Sequence, residues 1–295
     1  MIEIVDVNFQ GQPGIIASYV LRGPRGVALI ETGPASSYPA LKAGLARLGI
    51  EIAQVTEVLV THIHLDHAGA AGWVARESGA TVYVHYVGAP HLVDPRRLLA
   101  SAARIYGDAM GPLWGETLPV PAEQVVALKD GDVVLAAGHR VTAVDTPGHA
   151  YHHMAFVLDG LCFTGDVAAV RLPGSSHMRV PTPPPEVDLP LWRRSLERLA
   201  ALRPDQLLLT HFGPAELSPQ DHLATVRRNL ERAAEFVDRR RQAGMATEEI
   251  VEAFRAWVAE QAQADGAGPE LVDHFEIITP SPMLVAGLLR YFSQG

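Results

Sequence analysis

The sequence predicts a mixed α/β fold that ends in a helical extension. Two observations lead there. Short Val- and Ile-rich segments bounded by Gly and Pro alternate with helical patterns as far as about residue 216. Beyond that point only helix-period patterns remain. A third observation sets the scale: 295 residues suffice for one large domain or two smaller ones. The predicted division is a chemistry-bearing domain over 1–216 and a helical region over 217–295.

Taken in order, strands are predicted at 1–9, 14–21 and 26–30, each apolar and closed by turn residues. Leu41, Leu45 and Leu48 share one face of a helix over 38–49. A buried strand follows at 55–60, a helix at 68–78 ending before Gly79, and a strand at 81–85. Residues 97–106 read as helix, followed by a Pro-rich loop to 124. Five strands come next, at 125–128, 132–136, 140–145, 154–158 and 161–164, with turns at Asp130-Gly131, Pro147-Gly148 and Asp159-Gly160. The Pro-rich stretch 180–186 predicts extended polyproline II. A helix at 190–202 and a strand at 206–210 complete the first region. Ser218 is an N-cap with Pro219 at the first helical position. Leu223, Val226, Leu230 and Val237 then form an apolar stripe that needs cover, from the first domain or from a second copy in a homodimer. Helical segments at 247–263 and 282–292 follow.

Composition excludes several classes. With 48% hydrophobic and 19% charged residues the chain is not disordered. A net charge of −9, without a basic stretch interleaved with aromatics, argues against nucleic acid as partner. No apolar run approaches the roughly 18 residues of a membrane span. The start of the chain lacks a basic n-region. Cys162, the single cysteine, makes neither a disulfide nor a thiolate zinc cage. These features predict a cytoplasmic protein acting on a small molecule, away from membranes.

The chemistry concentrates in Thr61-His62-Ile63-His64-Leu65-Asp66-His67. It directly follows a strand, and in extended chain residues i and i+2 point the same way. His62 and His64 can therefore reach one ion. Asp66 and His67 stand where a helix begins and can turn to a second. A core has little use for four adjacent polar groups, each of which needs a partner when buried. Three further residues of metal-ligand type close strands: His149 after 140–145, Asp166 after 161–164 and His211 after 206–210. Loops at strand ends are where such sites are built.

In type and order, His62-x-His64-x-Asp66-His67, Pro147-Gly148-His149, Thr164-Gly165-Asp166 and Thr210-His211 resemble the metallo-β-lactamase superfamily. The resemblance covers about residues 1–215 and implies an αββα sandwich with metals at one edge of two sheets. It implies that His62, His64 and His149 hold one metal, that Asp66, His67 and His211 hold a second, and that Asp166 bridges. Glu31 stands where the family usually has a supporting Asp. The bridging Asp is shared with glyoxalase II-like thioesterases, lactonases, phosphodiesterases and persulfide dioxygenases. True β-lactamases lack it, so Asp166 argues against β-lactam hydrolysis. The segments 163–174 and 180–189 look similar to an uncharacterised bacterial branch, which names no substrate.

The expectation is a dinuclear hydrolase in which a metal-bridging hydroxide attacks an ester, thioester, lactone or phosphodiester. Asp166 and Asp66 are the catalytic carboxylates, with Asp66 orienting the nucleophile. The ligands are all nitrogen and oxygen, which suits Zn²⁺ and also Fe²⁺ or Mn²⁺; imidazole predominates, so zinc leads. The alternative is a mononuclear non-haem iron enzyme of the persulfide dioxygenase kind. Tyr151, Arg171 and Arg179 follow the ligand motifs and are candidates to receive an anionic substrate group.

Overall fold

Parallel strands need a crossover of a dozen or more residues, whereas antiparallel neighbours need only a short turn. The spacing of the segments therefore decides the topology. The computed structural model describes residues 2–294; Met1, which opens the first predicted strand, and Gly295 lie outside them. Packing divides the chain into two compact units. Unit 1 comprises 1–145 and 152–165, and unit 2 comprises 146–151 and 166–295.

In unit 1, β1 (Ile2–Asp6), β2 (Ala17–Gly23), β3 (Gly26–Ile30), β4 (Val55–Leu59), β5 (Thr81–His85) and β6 (Val125–Leu128) lie side by side in chain order. The first three strands are antiparallel, and β2 pairs with β3 from Tyr19↔Ile30 to Gly23↔Gly26. From β3 to β6 the pairing is parallel. Helices fill each crossover: α1 (Tyr38–Arg47), then α2 (Leu65–Ala68) and α3 (Ala71–Ser78), then α4 (Ala89–Val93), α5 (Arg96–Tyr106) and α6 (Met110–Trp114). β7 (Val133–Ala136), β8 (His139–Asp145), β9 (Met154–Leu158) and β10 (Leu161–Phe163) form an antiparallel meander. Asp159 and Gly160, both at positive φ, make the β9–β10 turn, as such a pair should in a tight hairpin. Val20, Leu29, Ile30, Val58, Val82 and Phe156 are fully buried.

Unit 2 is mainly helical. β11 (Gln206–Leu209) pairs with the short β12 (Gly213–Pro214). Around them stand α7 (Leu189–Ala201), α8 (Pro219–Gln242), α9 (Thr247–Ala264), α10 (Pro269–Ile278) and α11 (Ser281–Ser293). Ser218 caps α8 by accepting from the Asp221 amide, and Asp188 caps α7 by accepting from Leu191. The stripe of Leu223, Val226, Leu230 and Val237 is buried within this one chain, where α8 packs on α7, α9 and α11. Burying one such side chain is worth about 1.5–3 kcal/mol.

The fold class is as expected: a mixed α/β sandwich followed by a helical region. Three helices were not anticipated. Pro90 near the start of α4, and Gly111 and Pro112 within α6, hide five-residue helices inside a stretch that reads as loop. α10 lies between Gly268 and Pro280, and those breakers mask its single apolar face. The predicted extended polyproline stretch 180–186 is interrupted by a turn at 184–186. Among the described residues no helix is long and apolar enough to cross a membrane.

Candidate metal centre

Unit 1 carries one group of ligand-type side chains. Val60 and Thr61 continue from β4, and the Met154 amide donates to the Thr61 carbonyl at 2.8 Å, tying this end to β9. His62 lies with Nδ1 3.0 Å from Thr61 Oγ1 and Nε2 3.0 Å from His64 Nδ1. Two nitrogens bound about 2.0–2.1 Å from one tetrahedral ion stand roughly 3.3 Å apart, so the pair is close to a shared-ion spacing. Asp66 and His67 open α2, with His67 Nε2 3.7 Å from Asp66 Oδ2. The His62 and His67 rings are 4.0 Å apart between centroids, and both residues are fully buried.

Glu31, at the end of β3, organises this group. Its Oε1 is 3.1 Å from His67 Nδ1, and Oε2 accepts from the Thr61 amide at 3.4 Å. The longer carboxylate thus reaches both the His67 ring and the backbone that leads into the motif. It does so at φ +67, a left-handed conformation that costs a non-glycine residue energy and tends to persist at functional sites. Thr32 donates twice to the His67 carbonyl, from N and Oγ1, each at 2.9 Å, and so anchors α2 to the same corner. His152 and His153 join the imidazole cluster. The His153 ring is 4.9 Å from that of His62, and His152 lies nearly parallel to His62 at 6.1 Å. Gly165, at φ +51, lets the chain pass this cluster: a Cβ there would meet Thr61 Oγ1 at 2.5 Å and His153 Nε2 at 2.6 Å.

Unit 2 carries the other group, gathered from three loops. Asp166 is 4% exposed and sits between two histidines. Its Oδ2 is 3.5 Å from His149 Nε2, and its Oδ1 is 3.5 Å from His211 Nε2. His149 donates from Nδ1 to the Pro181 carbonyl at 2.9 Å, which assigns the proton to that nitrogen and leaves Nε2 as an acceptor. In the neutral ring an acceptor nitrogen facing a carboxylate oxygen is unfavourable, and a divalent cation between them relieves it, as a proton on Nε2 also would. The donor set therefore fits a metal.

The supports of this group come from the helices. Gly148 (φ +135) passes so close to α7 that a Cβ would lie 2.4 Å from Trp192 Cα. Trp192 Nε1 donates to the Val167 carbonyl at 2.8 Å, and His222 Nε2 of α8 donates to the Ala168 carbonyl at 2.9 Å, so both grip the Asp166 loop. Arg171 pairs with the His211 segment through its backbone, donating to the His211 carbonyl at 2.6 Å and accepting from the Phe212 amide at 2.7 Å. Its guanidinium donates from Nη1 to Glu216 and from Nη2 to the carbonyls of Phe212 and Pro214.

Arg171, a sequence candidate to receive substrate, is thus placed against the His211 loop. Arg179 is 3% exposed, with Nη1 bound to Glu276 Oε1 at 2.6 Å and to the Thr279 carbonyl at 3.2 Å. Tyr151 is 47% exposed, and its amide donates to Glu186. Burial pushes the Cys162 thiol up to about 12, so it stays protonated and inert. Sequence reasoning passed over Thr61, Trp192, His222 and the Pro181 carbonyl as supports. Only the adjacency of Thr61 to His62 was available to point to one of them.

Residues 11–211 match the metallo-beta-lactamase superfamily. A metallo-beta-lactamase fold-containing protein, ST1585, of Sulfurisphaera tokodaii is 28% identical over 204 residues, 68% of this chain and 74% of that one. Its crystal structure superposes with a TM-score of 0.63 over 77% of this chain and 84% of that chain. A hydroxyacylglutathione hydrolase of Fuscovulum blasticum is 28% identical over 62% of this chain and 65% of its own length. An atrochrysone carboxyl ACP thioesterase of Aspergillus fumigatus is 30% identical over 63% of this chain, which spans only 35% of that protein. In fold, the metallo-beta-lactamase family protein TTHA1429 of Thermus thermophilus covers 99% of this chain and 93% of its own, with a TM-score of 0.71 at 22% identity. With its His and Asp groups suited to metal, its two sheets and a match across most of its length, the chain belongs to the metallo-beta-lactamase superfamily.

Proposed function

We propose that the protein is a dinuclear metal-dependent hydrolase of acyl substrates, with thioesters first among the ester-type compounds. In this reading His62, His64 and His149 hold one ion, Asp66, His67 and His211 hold the other, and Asp166 bridges. The observation that carries it is the Asp166 carboxylate, whose two oxygens each face a different histidine at 3.5 Å. A carboxylate with one oxygen toward each of two histidines can serve two ions at once. The names of the hydroxyacylglutathione hydrolase and thioesterase relatives favour an acyl–sulfur bond.

Two divalent ions, when bound, would supply Lewis acidity toward the acyl oxygen and acidify a water. The chain's own part is geometric and electrostatic. Glu31 fixes the His67 ring and the Pro181 carbonyl fixes that of His149. Asp166 and Asp66 would offset positive charge where it accumulates, and Asp66, only partly buried, would orient a water. His152 and His153 keep bulk water from the buried side of His62.

Two measurements test the reading together. Elemental analysis after metal loading should give two ions per chain. A panel of thioesters, esters, lactones and phosphodiesters, run beside glutathione persulfide with and without oxygen, should show oxygen-independent turnover of a thioester supported by zinc. One ion per chain, or iron-dependent oxygen uptake with the persulfide, would move the protein to the dioxygenase alternative.

A further inference from the structure

Apart from its ligand-type residues, unit 2 holds a cavity of about 40 Å³. His177, Arg179, Arg232, Phe254, Trp257 and Asp265 are among the residues that line it. The space admits a few atoms beyond a single water, and its wall combines apolar and aromatic side chains with two arginines and an aspartate.

Arg179 is the unusual element. Only one nitrogen of its guanidinium, Nη1, is engaged, with Glu276 and the Thr279 carbonyl. Nε and Nη2 are buried and have no hydrogen-bond partner among the described residues, and the guanidinium carbon lies 5.3 Å from the Phe275 ring centre. Those two N–H bonds run parallel along one edge of the planar group, the edge that receives a carboxylate or phosphate through two hydrogen bonds at once. Buried donors are almost always satisfied, so an arginine that leaves this edge open toward a cavity points to a ligand. The rest of the wall agrees. His177 Nδ1 is 2.9 Å from Asp265 Oδ2, and its Nε2 has no partner among the described residues. Arg232 lies over the Trp257 ring at 5.6 Å and adds a second positive charge.

We propose that this cavity binds a small carboxylate, held side-on by Nε and Nη2 of Arg179 with its alkyl end against Phe254 and Trp257. A monoanion is favoured over a phosphate dianion because Asp265 lines the cavity and Glu276 stands 2.6 Å from Arg179. The small volume limits the ligand to the size of acetate or propionate, or to the end of a longer chain that enters from outside. This site is independent of the hydrolase reading.

The test is a titration of the purified protein with acetate, propionate and inorganic phosphate, followed by calorimetry and melting temperature. It is repeated after metal is removed with a chelator, because a carboxylate can also bind a metal centre. Saturable binding of acetate or propionate, tighter than phosphate and unchanged by chelation, is expected. Arg179→Lys, which keeps the charge and loses the fork, should weaken it at least tenfold. Ala233→Leu narrows the same cavity while both members of the Arg179–Glu276 pair are kept, and should also abolish binding, which guards against an Arg179→Lys protein that fails to fold. The site is refuted by absence of saturable binding, by binding that disappears on chelation, by a preference for phosphate, or by undiminished affinity in folded Ala233→Leu.

Discussion

The two groups of candidate ligands are built in opposite ways. In unit 1, His62, His64, Asp66 and His67 fall within six consecutive residues that leave one strand and enter one short helix. Their support is compact: Glu31, Thr32 and Thr61 serve the whole group. In unit 2, His149, Asp166 and His211 come from three loops spread over more than sixty residues, and α7, α8 and Arg171 hold them in place. The difference teaches where each group is vulnerable. The first depends on local backbone geometry and one carboxylate; the second depends on packing of the C-terminal helices.

The largest effect expected from breaking this contrast is at Asp166. Asp166→Asn keeps the shape and removes the charge that faces both His149 and His211. Turnover should fall by about three orders of magnitude, equivalent to roughly 4 kcal/mol in the barrier. Elemental analysis should show loss of at least one ion. A fully metallated and active Asp166→Asn protein would mean that the carboxylate does not bridge.

Next is Glu31, the unit 1 support. Glu31→Gln keeps its length but loses the charge that steadies His67 and Thr61. Removing such a partner of a ligand typically costs about 10–100-fold in metal affinity or activity. A competition titration with a chromophoric chelator measures it. Glu31→Asp restores the charge with a shorter arm and should recover part of the loss; equal affinity in all three proteins would show that His67 needs no such support.

The third effect is on stability and should be confined to the helices. Leu230 is fully buried on α8. Leu230→Ala should cost about 2–5 kcal/mol through lost burial and a residual cavity. Thermal denaturation reads this directly. The contrast predicts that the His149–Asp166–His211 group weakens with the helices while the His62–His67 group does not. In the proposed assignment each ion takes one histidine from that group and shares Asp166, so a zinc titration of Leu230→Ala should show both ions weakened together.

Legibility in the sequence follows the same contrast. The six-residue motif was readable because its logic is local: alternation along a strand, then a helix start. β3, β5, β6 and β9 coincide with their predicted bounds because turn residues flank apolar runs on both sides. His149, Asp166 and His211 were readable only as strand-end residues of ligand type, and it was the resemblance that assigned them together. What supports them was not readable. Nothing in the residues around 192 or 222 shows that Trp192 and His222 donate to carbonyls of the Asp166 loop, 25 and 54 positions away. The same holds for Arg171, whose partners Phe212, Pro214 and Glu216 become neighbours only when the chain has folded.

The smallest effect concerns His222, and it separates packing from metal binding. Burial, the dominant cause, lowers the pKa of this imidazole below its ordinary 6.5; the nearby Arg171 charge acts in the same direction, and the hydrogen bond to the Ala168 carbonyl opposes them. A depressed pKa means that, as pH falls through 6.5, the unfolded chain takes up the proton while the folded chain does not. Stability therefore rises with pH across the window between the folded pKa and 6.5, and it is lost as pH falls through that window. His222→Gln retains a donor for the Ala168 carbonyl but cannot titrate. Metal binding by histidine is itself pH-dependent, so both proteins should be stripped of metal and compared at pH 7.5 and pH 5.5. The wild type should lose more melting temperature over that interval than His222→Gln does, because every other titrating group is common to both. Equal losses would mean that His222 accepts its proton without strain. The grip of α8 on the Asp166 loop would then be a matter of shape and not of a neutral buried ring.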